Sequence, residues 1–193
     1  MFERVIGIIT FKAPTYRTIA VDKAAIKQAA ILVMVVALIQ GFCGALITTI
    51  ANGTSPSLSK DILSAVLNVI LGLIVWVIIA WLLAVIARAF GGMTGTGEML
   101  RVTGFVQVFG LVSGFSLVAL INPAITFVNP LIAFAILGLS LVGYFIGVRE
   151  VAKLSTDKAL VTAILVSVAS FVIMFLVDRT SNAVFPDFMR IVG

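Results

Sequence analysis

The sequence contains no histidine and only one cysteine, Cys43, which lies inside an apolar run. A Ser-His-Asp triad needs a histidine base, and the usual structural zinc sites need cysteine or histidine ligands. A histidine-ligated haem, a Cys/His metal site and an internal disulfide are therefore excluded. We expect no cofactor and no bound metal.

Charged residues are scarce, at 11% of the chain, whereas apolar residues make up 62%. Soluble domains carry roughly 25% charged and 45–50% apolar residues, so a water-soluble core could not hide this much apolar surface. The net charge is +5, but the lysines and arginines lie between apolar runs instead of clustering on one polar face. This arrangement predicts a protein embedded in a lipid bilayer and no nucleic-acid partner.

Five apolar runs are long enough to cross a membrane as α-helices, since about 20 residues cross the ~30 Å hydrocarbon layer. The 47 residues from Val102 to Val148 carry no charge and would overshoot that layer as one helix. We therefore place a turn at Asn122-Pro123 and Asn129-Pro130, where Asn129 caps the next helix. The prediction is an all-α polytopic bundle with spans at 29–51, 62–87, 102–121, 130–148 and 159–177, between an N-terminal segment 1–28 and a C-terminal segment 178–193.

Lysine and arginine are distributed unevenly between the two sides of this bundle. Ten lie on the side of the N-terminus and three on the other side. The positive-inside rule then predicts a cytoplasmic N-terminus and a C-terminus on the opposite side. Phe2, Val5, Ile6 and Ile9 recur at helical spacing, which predicts an N-terminal amphipathic helix lying in the interface of the cytoplasmic leaflet.

The stretch from Gly91 to Arg101, GGMTGTGEMLR, is rich in glycine, as phosphate-binding loops are. A P-loop ends in Gly-Lys-Ser/Thr, and a dinucleotide fingerprint has a third glycine and follows a strand. The stretch has neither pattern. We interpret it as a sharp return into the membrane, where Thr96 caps the third span and Glu98 lies at the positive end of that helix.

Two glycine patterns and two tryptophans bear on helix packing. Gly110 with Gly114, and Gly143 with Gly147, are small-xxx-small patterns that let helix backbones approach closely. They predict packing within the chain, with a homo-oligomer as the alternative. Trp76 and Trp81 lie well inside the second span, so we expect their indole N–H groups to find partners in a packed bundle or in another subunit.

Charge and glycine concentrate in the two links expected on the cytoplasmic side. Glu98 with Arg101, and Glu150 with Lys153, stand at i, i+3 and are expected to pair at helix ends. Carboxylates paired in this way supply neither a nucleophile nor a general base, so we predict no enzymatic activity. The candidate partner-binding residues are Arg88, Gly91, Gly92, Glu98, Arg101, Arg149, Glu150 and Lys153.

Three segments carry a family resemblance. They are Gly91-Gly92 followed by Glu98-Met-Leu-Arg101-Val-Thr-Gly104-Phe, then Gly147-Val-Arg149-Glu150-Val-Ala-Lys153-Leu-Ser155-Thr-Asp-Lys-Ala159, and Pro14-Thr-Tyr-Arg-Thr-Ile. They resemble the Yip domain family, the Ypt/Rab-interacting proteins, whose arrangement is five spans with a cytoplasmic N-terminus. The resemblance implies no catalytic residue.

Eukaryotic members of that family act in vesicle traffic, with a long cytosolic N-terminal region and contact with prenylated small GTPases. Only 28 residues precede the first predicted span here. In this the chain is similar to compact prokaryotic members, so the resemblance implies the cytoplasmic (inner) membrane of a prokaryote and leaves the GTPase contact open.

These observations favour a non-enzymatic scaffold that recruits or organises protein partners or lipids at the cytoplasmic face. One alternative is a small channel or transporter for a neutral solute, lined by polar span residues such as Gln40, Asn68 and Gln107. Another alternative is an accessory subunit of a larger membrane complex, which the tryptophans and glycine patterns would suit.

Overall fold

The computed structural model describes residues 1–51, 58–117 and 128–184, with side chains at 1–47, 62–117 and 128–173. These ranges contain helices and short links but no strand, which confirms the predicted all-α class. The helices are α1 (Phe2–Ile9), α2 (Ala13–Val21), α3 (Ala25–Ala51), α4 (Leu58–Ala89), α5 (Thr96–Val106) continuing into a 3₁₀ helix (Gln107–Leu117), α6 (Val128–Ala152) and α7 (Thr156–Val184).

Five helical segments are long and apolar enough to cross a membrane, which confirms the predicted polytopic architecture. Asn122 and Pro123 of the predicted turn lie outside the described residues. Asn129 is not the predicted cap, because α6 already begins at Val128. Its buried Oδ1 atom has no hydrogen-bond partner in the described part of the chain. The five segments are Ala25–Ile47, Ile62–Ala89, Thr96–Leu117, Val128–Ala152 and Thr156–Ile173.

The third segment changes its helix type at Gln107. The 3₁₀ half rises about 2.0 Å per residue, so both halves together reach roughly 38 Å, enough for the hydrocarbon layer. Gly110 allows this half to approach α3, because a Cβ atom there would lie 2.5 Å from the Val36 Cγ1 atom. The 3₁₀ helix is thus held directly against the first span.

The N-terminal helices α1 and α2 form a pair that packs against the bundle. α2 contacts α5 and α6, and its Tyr16 side chain is fully buried. Phe11, in the turn between the two helices, stacks on Phe109 of the 3₁₀ helix with ring centroids 5.4 Å apart. Pro14 stands in the first turn of α2, where its fixed φ favours helix initiation.

α1 has the amphipathic character predicted for it. Ile8 is buried against the bundle, whereas Phe2, Ile6 and Ile9 are exposed on the outer side. Arg4 ties the start of α1 to the α2–α3 link through an ion pair with Asp22, 2.5 Å between the Arg4 Nη2 and Asp22 Oδ2 atoms. The hydrogen bond from Arg4 holds the pKa of Asp22 below its ordinary value.

Trp76 and Gly104 lie where α3, α4 and α5 meet. The buried Trp76 indole N–H donates to the Thr103 Oγ1 atom at 3.0 Å and to the Leu100 carbonyl at 3.1 Å, which confirms that it has a partner within the bundle. A Cβ atom on Gly104 would lie 2.5 Å from the Ala29 Cβ atom and 3.0 Å from the Trp76 ring. Trp81, in contrast, is half exposed on the outside of α4.

Candidate functional site

Two links that are far apart in sequence meet at one end of the bundle. The Met93 backbone N–H donates to the Ala152 carbonyl at 3.1 Å, and the Lys158 Nζ atom donates to the Phe90 carbonyl at 3.0 Å. The turn after α4 requires Gly91, whose φ is +89°. We call this surface the charged end; it comprises the last turns of α2 and α6, the α4–α5 link 90–95, the first turns of α5 and the α6–α7 link 153–155.

Arg101 attaches α2 to the charged end. Its Nε atom donates to the Ala20 carbonyl at 2.8 Å, and its Nη2 atom donates to the same oxygen. Ala20 lies in the last turn of α2, where backbone carbonyls lack helical partners and the helix dipole favours a cation. The expected pair of Arg101 with Glu98 is therefore wrong, because a carbonyl far away in sequence takes the guanidinium.

The Glu150 side chain is almost enclosed at the charged end, with 7% of it exposed. The Arg17 Nε atom donates to the Glu150 Oε2 atom at 2.7 Å, and the Arg149 Nη2 atom donates to Oε1 at 2.8 Å. Arg149 also lies over the Phe145 ring, 5.5 Å from its centroid. A carboxylate held by two guanidiniums fixes the position of α2 relative to α6.

Lys153 does not form the predicted ion pair with Glu150. It follows the last residue of α6 with a φ of +54°, so it leaves the helical row in which an i, i+3 pair would form.

Glu98 binds groups close to it in sequence, because its Oε2 atom accepts from the Gly95 N–H at 3.0 Å and from the Thr94 hydroxyl at 2.9 Å. Gly95, and not Thr96, therefore stands at the N-cap of α5.

A cavity of about 780 Å³ opens at the charged end. Four predicted site residues line it, namely Glu98, Arg149, Glu150 and Lys153. The other predicted residues lie beside it: Arg101 binds α2, Arg88 donates to the Ala84 carbonyl of its own helix, and Gly91 and Gly92 form the turn. The remaining lining residues are Arg17, Ala20, Val21, Met93, Val151 and Leu154.

α2 contributes Arg17, Ala20 and Val21 to this cavity, which the sequence patterns did not indicate. Tyr16, Ile19 and Ala20 are all buried and follow helical spacing after Pro14, a signal that predicts a packed helix. That signal does not tell which surface the helix covers. Arg17 pairs with Glu150, which is 133 residues away in sequence, so the pair cannot be predicted from local spacing.

The four glycines predicted for helix packing lie in different surroundings. A Cβ atom on Gly143 or Gly147 would lie 2.9 Å from the Val106 or Val102 side chain of α5, respectively. Gly110 touches α3, as described above, but a Cβ atom on Gly114 would meet no atom within 4 Å. Three of the four glycines thus stand at helix–helix contacts in this structure.

The charged end offers binding groups more than reacting groups. Its carboxylates are engaged by arginines or by the α5 cap, and its arginines present N–H donors. Across the described residues, no three histidine, cysteine or acidic side chains lie close enough together to hold a metal ion.

Five membrane-length helices with no strand in the described ranges define an integral, multi-pass membrane protein. The family model of the Yip1 domain matches residues 6–177, and the chain belongs to that family. The match takes in the second half of α1 and all of α2, as well as the five membrane-length segments. Comparison with curated proteins and with solved structures finds no match.

Proposed function

We propose that this chain is a non-enzymatic membrane scaffold whose charged end faces the cytoplasm and recruits a protein partner or lipid. The observation that carries the proposal is the assembly of α2, the α4–α5 link and the α6–α7 link into one surface around a cavity. Exposed Val21 and Met93, at 74% and 73%, add apolar area to this charged rim. Exposed apolar side chains within a polar rim are typical of protein interaction sites.

Affinity purification of the full chain in mild detergent tests this function. We expect a partner to co-purify in stoichiometric amount, and Met93→Asp to remove it, because the substitution replaces exposed apolar area in the interface with a carboxylate that would have to lose its water. Lys12→Gln is the control, since exposed Lys12 lies at the other end of α2. A chain that purifies without a protein in every case would contradict the recruitment of a protein partner.

The proposed orientation follows from the ten lysines and arginines that the sequence places on the side of the charged end. We expect Lys23→Cys and Gly193→Cys, each in a Cys43→Ala background, to react with a membrane-impermeant maleimide on opposite faces. Inverted vesicles should label the first variant and right-side-out vesicles the second. Labelling of both on one face would mean an even number of spans.

A further inference from the structure

The charge that the charged-end cavity presents to a ligand is positive, although two carboxylates line it. The Arg17 side chain is 68% exposed and that of Arg149 is 36% exposed, in contrast to 7% for Glu150. Glu98 is engaged at the start of α5 through its Oε2 atom. A molecule entering the cavity therefore meets guanidinium and ammonium groups first.

Glu150 holds the guanidiniums of Arg17 and Arg149 in place without using all of their N–H donors. The Nε and Nη2 atoms of Arg17 bind the Glu150 carboxylate. Because a guanidinium carries five N–H groups in a fixed fork, part of that fork stays available beside the cavity. Arginine side chains fixed in this way bind the oxygens of a phosphate group with little loss of conformational entropy.

Lys153 lines the same cavity in a backbone conformation that favours glycine. It directly follows α6 with a φ of +54°, at the position where helices commonly end in a left-handed glycine. The other non-glycine residue with such a φ in the described ranges is Phe11, whose side chain stacks on Phe109. Lysine adopts this conformation at a steric cost, and Lys153 is exposed beside the cavity.

The size and level of the cavity favour a small phosphate compound. Its volume of about 780 Å³ is far larger than a single ion needs and lies within the range of roughly 300–1,000 Å³ of small-molecule sites. Arg149 is the first charged residue after the uncharged stretch that ends at Val148, so the cavity lies at the end of the apolar spans. This is the level at which lipid headgroups surround a membrane protein.

We propose that the charged-end cavity binds a phosphate ester, with Arg17 and Lys153 as direct ligands and Glu150 as the residue that positions Arg17. This inference rests on the proposed function and names the chemical class of ligand that the charged end recruits. The same chemistry is present in the headgroup of an anionic phospholipid and in a small soluble phosphate ester.

The test uses the purified full chain in a neutral detergent, with two kinds of probe. Native mass spectrometry measures retention of phosphatidylglycerol against phosphatidylcholine, and calorimetry measures binding of glycerol 3-phosphate. We expect one saturable site, with Lys153→Gly weakening binding about tenfold through loss of one charge-assisted hydrogen bond. Lys153→Arg should retain binding, and Lys12→Gln, which removes the same charge elsewhere, should leave it unchanged.

Lys153→Gly also separates a binding role from a structural one. Glycine suits a positive φ, so this variant should melt at the same temperature as the unmodified chain or higher. Preference for phosphatidylglycerol without affinity for glycerol 3-phosphate would assign the site to a lipid, and binding of glycerol 3-phosphate would assign it to a soluble ligand. Equal retention of both lipids with no binding of glycerol 3-phosphate, or full affinity in Lys153→Gly, would overturn the inference.

The two proposals fail in different ways. If the unmodified chain captures a stoichiometric protein partner but binds neither phosphate probe, the phosphate site is wrong and the scaffold function stands. If the chain binds a probe at the cavity but purifies without a protein partner, the protein-recruiting part of the function is wrong and the phosphate site stands.

Discussion

Replacement of Trp76 with alanine is expected to lower the free energy of unfolding by about 3–5 kcal/mol, the usual cost of removing a buried tryptophan. The ring is only 5% exposed and packs beside Gly104 at the junction of three helices. The change also removes the indole N–H that donates to Thr103 and Leu100. Unfolding of the detergent-solubilised protein, followed by circular dichroism, measures the loss.

Trp81→Ala is the matched control, because it removes the same side chain from the same helix. Trp81 is 51% exposed on the outer surface of α4, so we expect a change within about 0.5 kcal/mol in detergent, as for other surface substitutions. Equal losses for the two tryptophans would mean that the junction described around Trp76 is not what stabilises the bundle.

Gly104→Ala is expected to destabilise the bundle by about 1–3 kcal/mol, although alanine normally favours helix over glycine. The added methyl group would lie 2.5 Å from the Ala29 Cβ atom and 3.1 Å from its Cα atom. Since one of these is a backbone atom, α3 and α5 would have to move apart. The melting temperature in detergent should therefore fall.

Gly114→Ala supplies the control within the same span. An added Cβ atom at Gly114 meets no atom within 4 Å, so the melting temperature should stay constant or rise slightly because alanine loses less backbone entropy on folding. A larger loss at Gly114 than at Gly104 would contradict the contact between α3 and α5.

Hydropathy was sufficient to predict the five long helices, because a bilayer requires about 20 apolar residues per span. The start of the third helix was predicted to within one residue, since Thr96 was expected at the N-cap and Gly95 stands there. The partners of Glu98 and Arg101, which both lie within α5, were not predicted. Their charges are accommodated by the Gly95 N–H and the Ala20 carbonyl, partners that only the folded backbone supplies.

For the candidate site, the sequence indicated several of the residues that meet at one surface, but it did not indicate which of them pair. Glu98, Arg149, Glu150 and Lys153 line one cavity as parts of two links that the sequence places about 50 residues apart. The pairing rule for i, i+3 neighbours did not hold for Glu150, because Arg17 of α2 competes for it and Lys153 has left the helix. The i, i+3 rule describes side-chain pairing in isolated helices, whereas in a packed bundle residues distant in sequence compete for the same charged group.

The pairing of Arg17 with Glu150 sets an order on how this protein is made. The two residues are 133 positions apart, so at a translation rate of roughly 5–20 residues per second, Glu150 is synthesised on the order of ten seconds after Arg17. α2 has nine residues, too few to be a stable helix in water without tertiary contacts. α2 can contact Arg101 once α5 has been synthesised, but its ion pair with Glu150 forms only after four spans, so the charged end is completed when most of the chain is already in the membrane.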